Sequence, residues 1–204
     1  YEGEFKDADM NGFGTTYYPN GTVIRFEGAY RNSKRHGHGR LYDPSGALEY
    51  EGEFKDSKWH ARGRVYHPGG ALRYDGNVNY GTLWGHGKTY DSYGTLMYDG
   101  DHANDTLHGH GRLYHPNGTL AHVGEFKNDR ANGHGKRYGS TGILEYEGEF
   151  RDGSANGRGR QYRSDGTLMY QGEYRDGSAN GRGRHYRSDN TLMYQGEYKD
   201  AKRN

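Results

Sequence analysis

From Leu144 to Phe150 the chain alternates strictly, with Leu144, Tyr146, Gly148 and Phe150 on one side and Glu145, Glu147 and Glu149 on the other. Such a period of two predicts a β-strand with one packed and one solvated face. The same alternation recurs from Leu48, Leu72, Leu96, Leu120, Leu168 and Leu192. The polar stretch from Arg151 to Asn156 then predicts a turn, Gly157 to Tyr162 a second strand, and Ser164-Asp165-Gly166-Thr167 a second turn. Each unit therefore reads as one β-hairpin, and hairpins added edge to edge give an antiparallel meander.

The pattern is also periodic on a larger scale. Residues 146–169 and 170–193 are nearly identical, which sets a period of 24 residues. With Tyr146 as repeat position 1, units start at Tyr1, Phe26, Tyr50, Tyr74, Tyr98, His122, Tyr146, Tyr170 and Tyr194, the last a partial unit, so residues 1–204 read as one array. One residue inserted near Thr22 and Val23 lengthens the first unit. The expected fold class is all-β: an elongated, single-layer antiparallel β-meander of tandem hairpins. The chain starts at a repeat boundary and stops part-way through a unit, the pattern expected of a piece of a longer array or of an array whose ends a partner covers.

Composition changes the picture of the core. Only 30% of the chain is hydrophobic and 36 of its residues are glycine, which by amount alone fits a disordered chain. Placement rejects that, because 31 of the 36 glycines fall at repeat positions 3, 12, 14 and 21, and 18 of the 21 tyrosines at positions 1, 5 and 17. A ring laid flat on a glycine of the neighbouring strand supplies a core without aliphatic side chains. The tyrosine at position 17 falls on the face opposite the glycines at positions 12 and 14. Either a bulge shifts its phase or the sheet carries aromatics on both faces.

The run Tyr146-Glu147-Gly148-Glu149-Phe150-Arg151-Asp152-Gly153, followed by Asn156-Gly157-Arg158-Gly159, resembles the MORN (membrane occupation and recognition nexus) repeat, with its Y-x-G-x-[WFY]…G-x-G pattern. The resemblance extends over the whole chain, at a spacing one residue longer than the family's usual one. It implies a non-enzymatic scaffold that binds other proteins, among them cytoskeletal or ciliary components, membrane-associated assemblies, or a second copy joined through the array ends. The location it implies is cytoplasmic, at the cytoskeleton, a cilium or a membrane periphery. Two alternatives come with it: a membrane-tethering module for anionic phospholipids, and the accessory repeat region of a larger enzyme.

Candidate chemistry narrows this little. The chain has no cysteine, so disulfides and thiol catalysis are excluded, and no apolar run approaches the ~18 residues of a membrane-spanning helix. The pairs His36/His38 and His108/His110 have a spacing a metal could use, but they occupy positions where other units place Asn and Arg and read as solvated substitutions. Carboxylates at positions 2 and 4, such as Glu51 and Glu53, recur in every hairpin as surface residues do, and are expected to pair with Lys and Arg at positions 6, 13 and 15. Gly157-Arg158-Gly159-Arg160 lacks the third glycine and following helix of a dinucleotide loop. No catalytic residue, cofactor or metal is therefore expected. Asn20-Gly21-Thr22, Asn104-Asp105-Thr106 and Asn117-Gly118-Thr119 match a glycosylation triplet and read as turn composition.

With 28 Lys and Arg against 27 Asp and Glu, no nucleic-acid partner is expected. An anionic membrane surface would meet Arg158, Arg160, Arg182 and Arg184. A protein partner is better sought where the repeat is broken. Position 5 becomes Val78 and His102, position 7 becomes Tyr80, Trp84 falls in a predicted turn, Tyr93 replaces a turn residue and His122 a position-1 tyrosine. Trp59, beside the Ala61 that interrupts a glycine column, joins them. Tyr80, Trp84, Tyr93, His102, His122 and Trp59 are thus the expected partner-binding residues.

Overall fold

A computed structural model describes residues 1–19 and 21–203, so Asn20, the head of one glycosylation triplet, lies outside the described residues. The array divides into two compact units, Tyr1–Asp105 and Thr106–Asn204. Each is a single-layer antiparallel β-meander of nine strands, the first from Glu2–Lys6 to Leu96–Ala103 and the second from Thr106–Tyr114 to Lys202–Arg203.

One repeat shows how the sequence builds the rest. Strand Leu144–Arg151 turns into strand Ser154–Tyr162 through two residues, Asp152 and Gly153, both at positive φ (49° and 86°). This is the turn geometry whose twist matches the flanking strands, and Asp followed by Gly tolerates it. The turn is shorter than the polar composition suggests: Ser154, Ala155 and Asn156 belong to the second strand, with Ala155 opposite Phe150. For the same reason Trp84 lies inside strand Thr82–Tyr90 and not in a turn. At the other edge, Asp165 Oδ1 accepts the Thr167 backbone N–H at 2.8 Å and Gly166 N–H donates to the Arg163 carbonyl at 2.9 Å, which closes the turn that leads to the next hairpin. Asn104 and Asn117 are turn residues too, Asn117 accepting the Thr119 N–H at 3.1 Å.

The core is aromatic and one residue thick. Gly148, Gly159 and Gly172 face one another across three strands, and the Tyr146 ring lies over Gly159 so closely that a Cβ there would come within 2.6 Å of ring carbon Cε2. The Tyr146 hydroxyl donates to the Glu149 carbonyl at 3.0 Å. Rings at positions 1 and 5 meet edge to face along the array: Tyr146 with Phe150 (4.9 Å, 81°) and with Tyr174 (5.1 Å, 89°), then Tyr174 with Tyr170 (5.2 Å, 88°). Each such contact contributes about 0.5–1.5 kcal/mol beyond area burial.

Position 17 resolves into both alternatives at once. The register does shift, between Gln161 and Tyr162 and at the equivalent place in the other repeats. Even so, the hydroxyls of Tyr17, Tyr42 and Tyr66 donate to Glu2, Glu27 and Glu51, on the face opposite the core. The sheet carries aromatics on both sides.

Candidate interaction surface

The polar face is organised by two ladders of side chains running across the strands. In the first unit the residues at positions 2 and 15 alternate in register as Glu2, Thr15, Glu27, Arg40, Glu51, Arg64, Asp75, Lys88 and Asp99. Arg40 sits between two carboxylates, its Nε donating to Glu51 Oε1 at 2.9 Å and its Nη1 to Glu27 Oε1 at 3.3 Å. That guanidinium holds the Glu51 carboxyl below the usual range, while burial first and the hydrogen bond to Glu27 second push the Tyr42 hydroxyl up. The expected pairing of carboxylates with basic residues is thus present at positions 15 and 2, with partly exposed partners worth at most about 1 kcal/mol each.

Position 4 has a second task that ion pairing alone does not suggest. Glu149 accepts the backbone N–H of Arg158 at 3.1 Å, and Glu125 that of His134 at 3.0 Å. The strand bulges beside these carboxylates, where Gly157 (φ 82°) and Gly133 (φ 95°) leave room for them. The acid satisfies an amide that the bulge removes from the ladder.

In the second unit the strip of glycine backbone between the two ladders forms the floor of an open groove of about 1240 Å³. Lys136, Arg160 and Arg184 line one wall, and Glu149, Glu173 and Glu197 with Arg158 and Arg182 line the other. The four arginines named from sequence therefore share this groove but belong to different walls. Two of them are already engaged: Arg160 Nη1 lies 3.2 Å from Glu147 and Arg182 Nε 3.0 Å from Glu197. Sequence reading missed Gln171 and Gln195, also in the groove. Their signal was available in the position-2 column, where most units place an acid.

The irregular residues do not form one site. Tyr80 (64% exposed) is in the turn before strand Thr82–Tyr90 and Tyr93 (93% exposed) in the turn after it, so a strand of about 25–30 Å separates them. Trp84 lies between the two, 46% exposed. The Tyr80 ring has Lys58 Nζ 5.6 Å from its centroid and the His60 ring at 6.5 Å.

The remaining three serve the core. His102 is 3% exposed, its ring edge-on to Tyr74 and Tyr98 at 5.1 Å, with Nδ1 3.1 Å from the Gly100 carbonyl oxygen. His122 is 5% exposed, lies over Gly135 and meets Phe126 and Phe150 edge to face. Burial lowers the pKa of both, that of His122 to about 4 with help from the Arg137 charge, so both rings are neutral at pH 7 and act as aromatic stand-ins. Trp59 stacks on Tyr50 (4.6 Å, 8°), where the adjacent repeat offers only Val78 in place of a ring. His102 and His122 are thus corrected from contact residues to packing residues, while Trp59 packs on Tyr50 and stays partly exposed.

Among the described residues no group of three or more His, Asp or Glu side chains is placed to hold a metal ion, and no helix is long and apolar enough to cross a membrane.

The MORN repeat matches residues 1–23, 26–48, 50–71, 122–143, 146–168 and 170–192, more than half of the chain, and a MORN repeat variant matches residues 107–128. The chain belongs to the MORN repeat family. The matched segments leave residues 72–106 between them, the stretch that holds Val78, Tyr80, Trp84, Tyr93 and His102. No match to a curated protein was found. As a MORN repeat protein the chain is a repeat-built interaction or membrane-association module.

Proposed function

We propose that this MORN array is a non-enzymatic scaffold that seats a segment of a partner protein on the polar face of its second unit. The open, glycine-floored groove of about 1240 Å³ carries this reading. It is walled by charged side chains that recur from hairpin to hairpin, and such a surface recognises an elongated segment through repeated contacts rather than processing a small molecule. Its lining counts five Lys and Arg against four Glu, a balance that speaks less for a bilayer than for a protein segment. Cytoskeletal, ciliary or membrane-associated assemblies are the settings proposed for it, in the cytoplasm.

The test is affinity capture with quantitative mass spectrometry, comparing wild type with Gln171→Trp, which fills the groove, and with a Tyr80→Ala plus Trp84→Ala variant of the first unit. Loss of a defined set of proteins with Gln171→Trp supports the groove. Recovery unchanged by Gln171→Trp, with the folded array confirmed by circular dichroism, overturns it.

A further inference from the structure

The ladder at positions 2 and 15 reverses its charge between the two units. In the first unit Arg40, Arg64 and Lys88 face five carboxylates, Glu2, Glu27, Glu51, Asp75 and Asp99. The second unit keeps the cations, Arg112, Lys136, Arg160 and Arg184, while its acid column reads Val123, Glu147, Gln171 and Gln195. One carboxylate is left, and Glu147 serves two cations, Lys136 at 3.3 Å and Arg160 at 3.2 Å. Arg184 is in register with Gln171 on one side and Gln195 on the other, with its Nε donating to the Gln195 side-chain oxygen at 3.1 Å. It occupies the place that Arg40 has between two glutamates.

We infer that the basic wall of this groove, Lys136, Arg160 and Arg184 with Gln171 and Gln195, binds a carboxylate-rich peptide segment running across the strands. The inference rests on the groove reading above and names the chemistry of its occupant. A guanidinium stripped of its carboxylates keeps its fork of donors for an incoming one, and the neighbouring carboxamides accept and donate without cancelling the charge. The geometry suits an extended chain. Successive cations stand two strands apart, about 10 Å, which is the reach of about three extended residues.

An extended peptide also fits the second wall better than a membrane does. Glu149, Glu173 and Glu197 run parallel to the basic wall at the distance of two residues along a strand, about 7 Å. A lipid surface would press anionic headgroups against both walls together. A single chain laid along one wall meets three cations and one carboxylate, Glu147, with Arg184 held by no acid of that ladder.

The test uses the whole chain and a fluorescent twelve-residue peptide with Glu at every third position, read by fluorescence anisotropy. Wild type is expected to bind it, tenfold or more weakly at 0.5 M than at 0.05 M salt, and not to bind the same peptide with Gln for Glu. The decisive variant is Gln171→Glu with Gln195→Glu, which restores the ladder the first unit folds with and is expected to weaken binding at least tenfold. Should that pair fail to fold by circular dichroism, Arg184→Gln is the substitute, with the same expectation. Equal affinity of wild type and folded variant, or of the Glu and Gln peptides, overturns the inference. So does absence of peptide binding when vesicles of phosphatidylserine and phosphatidylcholine pellet the protein, which would make a membrane the occupant. If partners captured from cells depend on the groove but the Glu peptide does not bind, the scaffold reading stands and the acidic occupant falls.

Discussion

His122→Tyr separates packing from charge at one buried site. His122 occupies a position that is tyrosine in seven of the nine units, and its Nε2 is buried with no hydrogen-bond partner. Burial, and after it the Arg137 charge, lower its pKa to about 4 from 6.5. The unfolded chain therefore takes up a proton as pH falls through 6.5, while the folded chain resists until about 4. Stability from this site is complete above pH 6.5, erodes as pH falls towards 4, and is flat below. Worked through linkage, the loss is about 2 kcal/mol between pH 7.5 and 5.0 and about 3 kcal/mol by pH 4.

Tyrosine removes this titration and should add a contact. Its hydroxyl would donate to the Glu125 carbonyl as the Tyr146 hydroxyl does to Glu149 at 3.0 Å, and relief of the unpaired imidazole nitrogen adds about 1 kcal/mol at neutral pH. The assay is urea unfolding followed by far-UV circular dichroism between pH 7.5 and 5.0, since Trp59 and Trp84 both lie in the first unit and fluorescence would miss the second. The difference between the two proteins is expected to widen by about 2 kcal/mol across that range. His102 and the carboxylates titrate in both proteins, so they cancel. If both lose stability in parallel, the buried neutral imidazole is refuted.

Three further substitutions test other parts of the architecture. Gly159→Ala places a methyl against the Tyr146 ring and should cost about 2–3 kcal/mol; an unchanged thermal midpoint would mean the ring does not rest on this glycine. Ala61→Gly restores the glycine column where Ala61 holds φ at 57°, for an expected gain of about 1 kcal/mol in urea, and a loss would show that Ala61 packs usefully. Tyr80→Asp gives the turn the residue found in five other units, at a position where Tyr80 holds φ at 50°. It should also stabilise by about 1 kcal/mol, and destabilisation would reveal that the ring contacts with Lys58 and His60 outweigh the backbone strain.

Much of the fold was legible because each repeat states it again. The columns of glycine and tyrosine carry the period, the hairpin and the ring-on-glycine core, since each column answers one steric requirement. Less legible was whatever depends on phase within a bulge. Ser154 to Asn156 look like turn composition, yet the two-residue turn at Asp152 and Gly153 leaves them in a strand. The carboxylate of Glu149 reads as half of an ion pair, yet it also accepts an amide. Of the site, the four arginines were visible and their division between two walls was not. That division follows from the register across strands, which pairs Arg160 with Gln171 and Arg158 with Glu173.

The departures from the repeat fall into two kinds, and the difference between them bears on function. Val78 lacks the ring its position normally supplies, and the loss is made good nearby: Trp59 stacks on Tyr50 and Leu83 packs opposite Val78. His102 and His122 lack a phenol but keep a flat ring, and the edge-to-face series runs through them. Such changes come with compensation and report on packing. Gln171 and Gln195 have none: the acids are gone, Arg184 remains between them, and no other carboxylate in that ladder moves in to replace them. An ion ladder left unbalanced on an exposed face gains nothing for the fold, because exposed pairs contribute little either way. The imbalance is therefore better assigned to a partner that brings its own carboxylates, and Gln171→Glu with Gln195→Glu should cost the protein binding while costing it no stability.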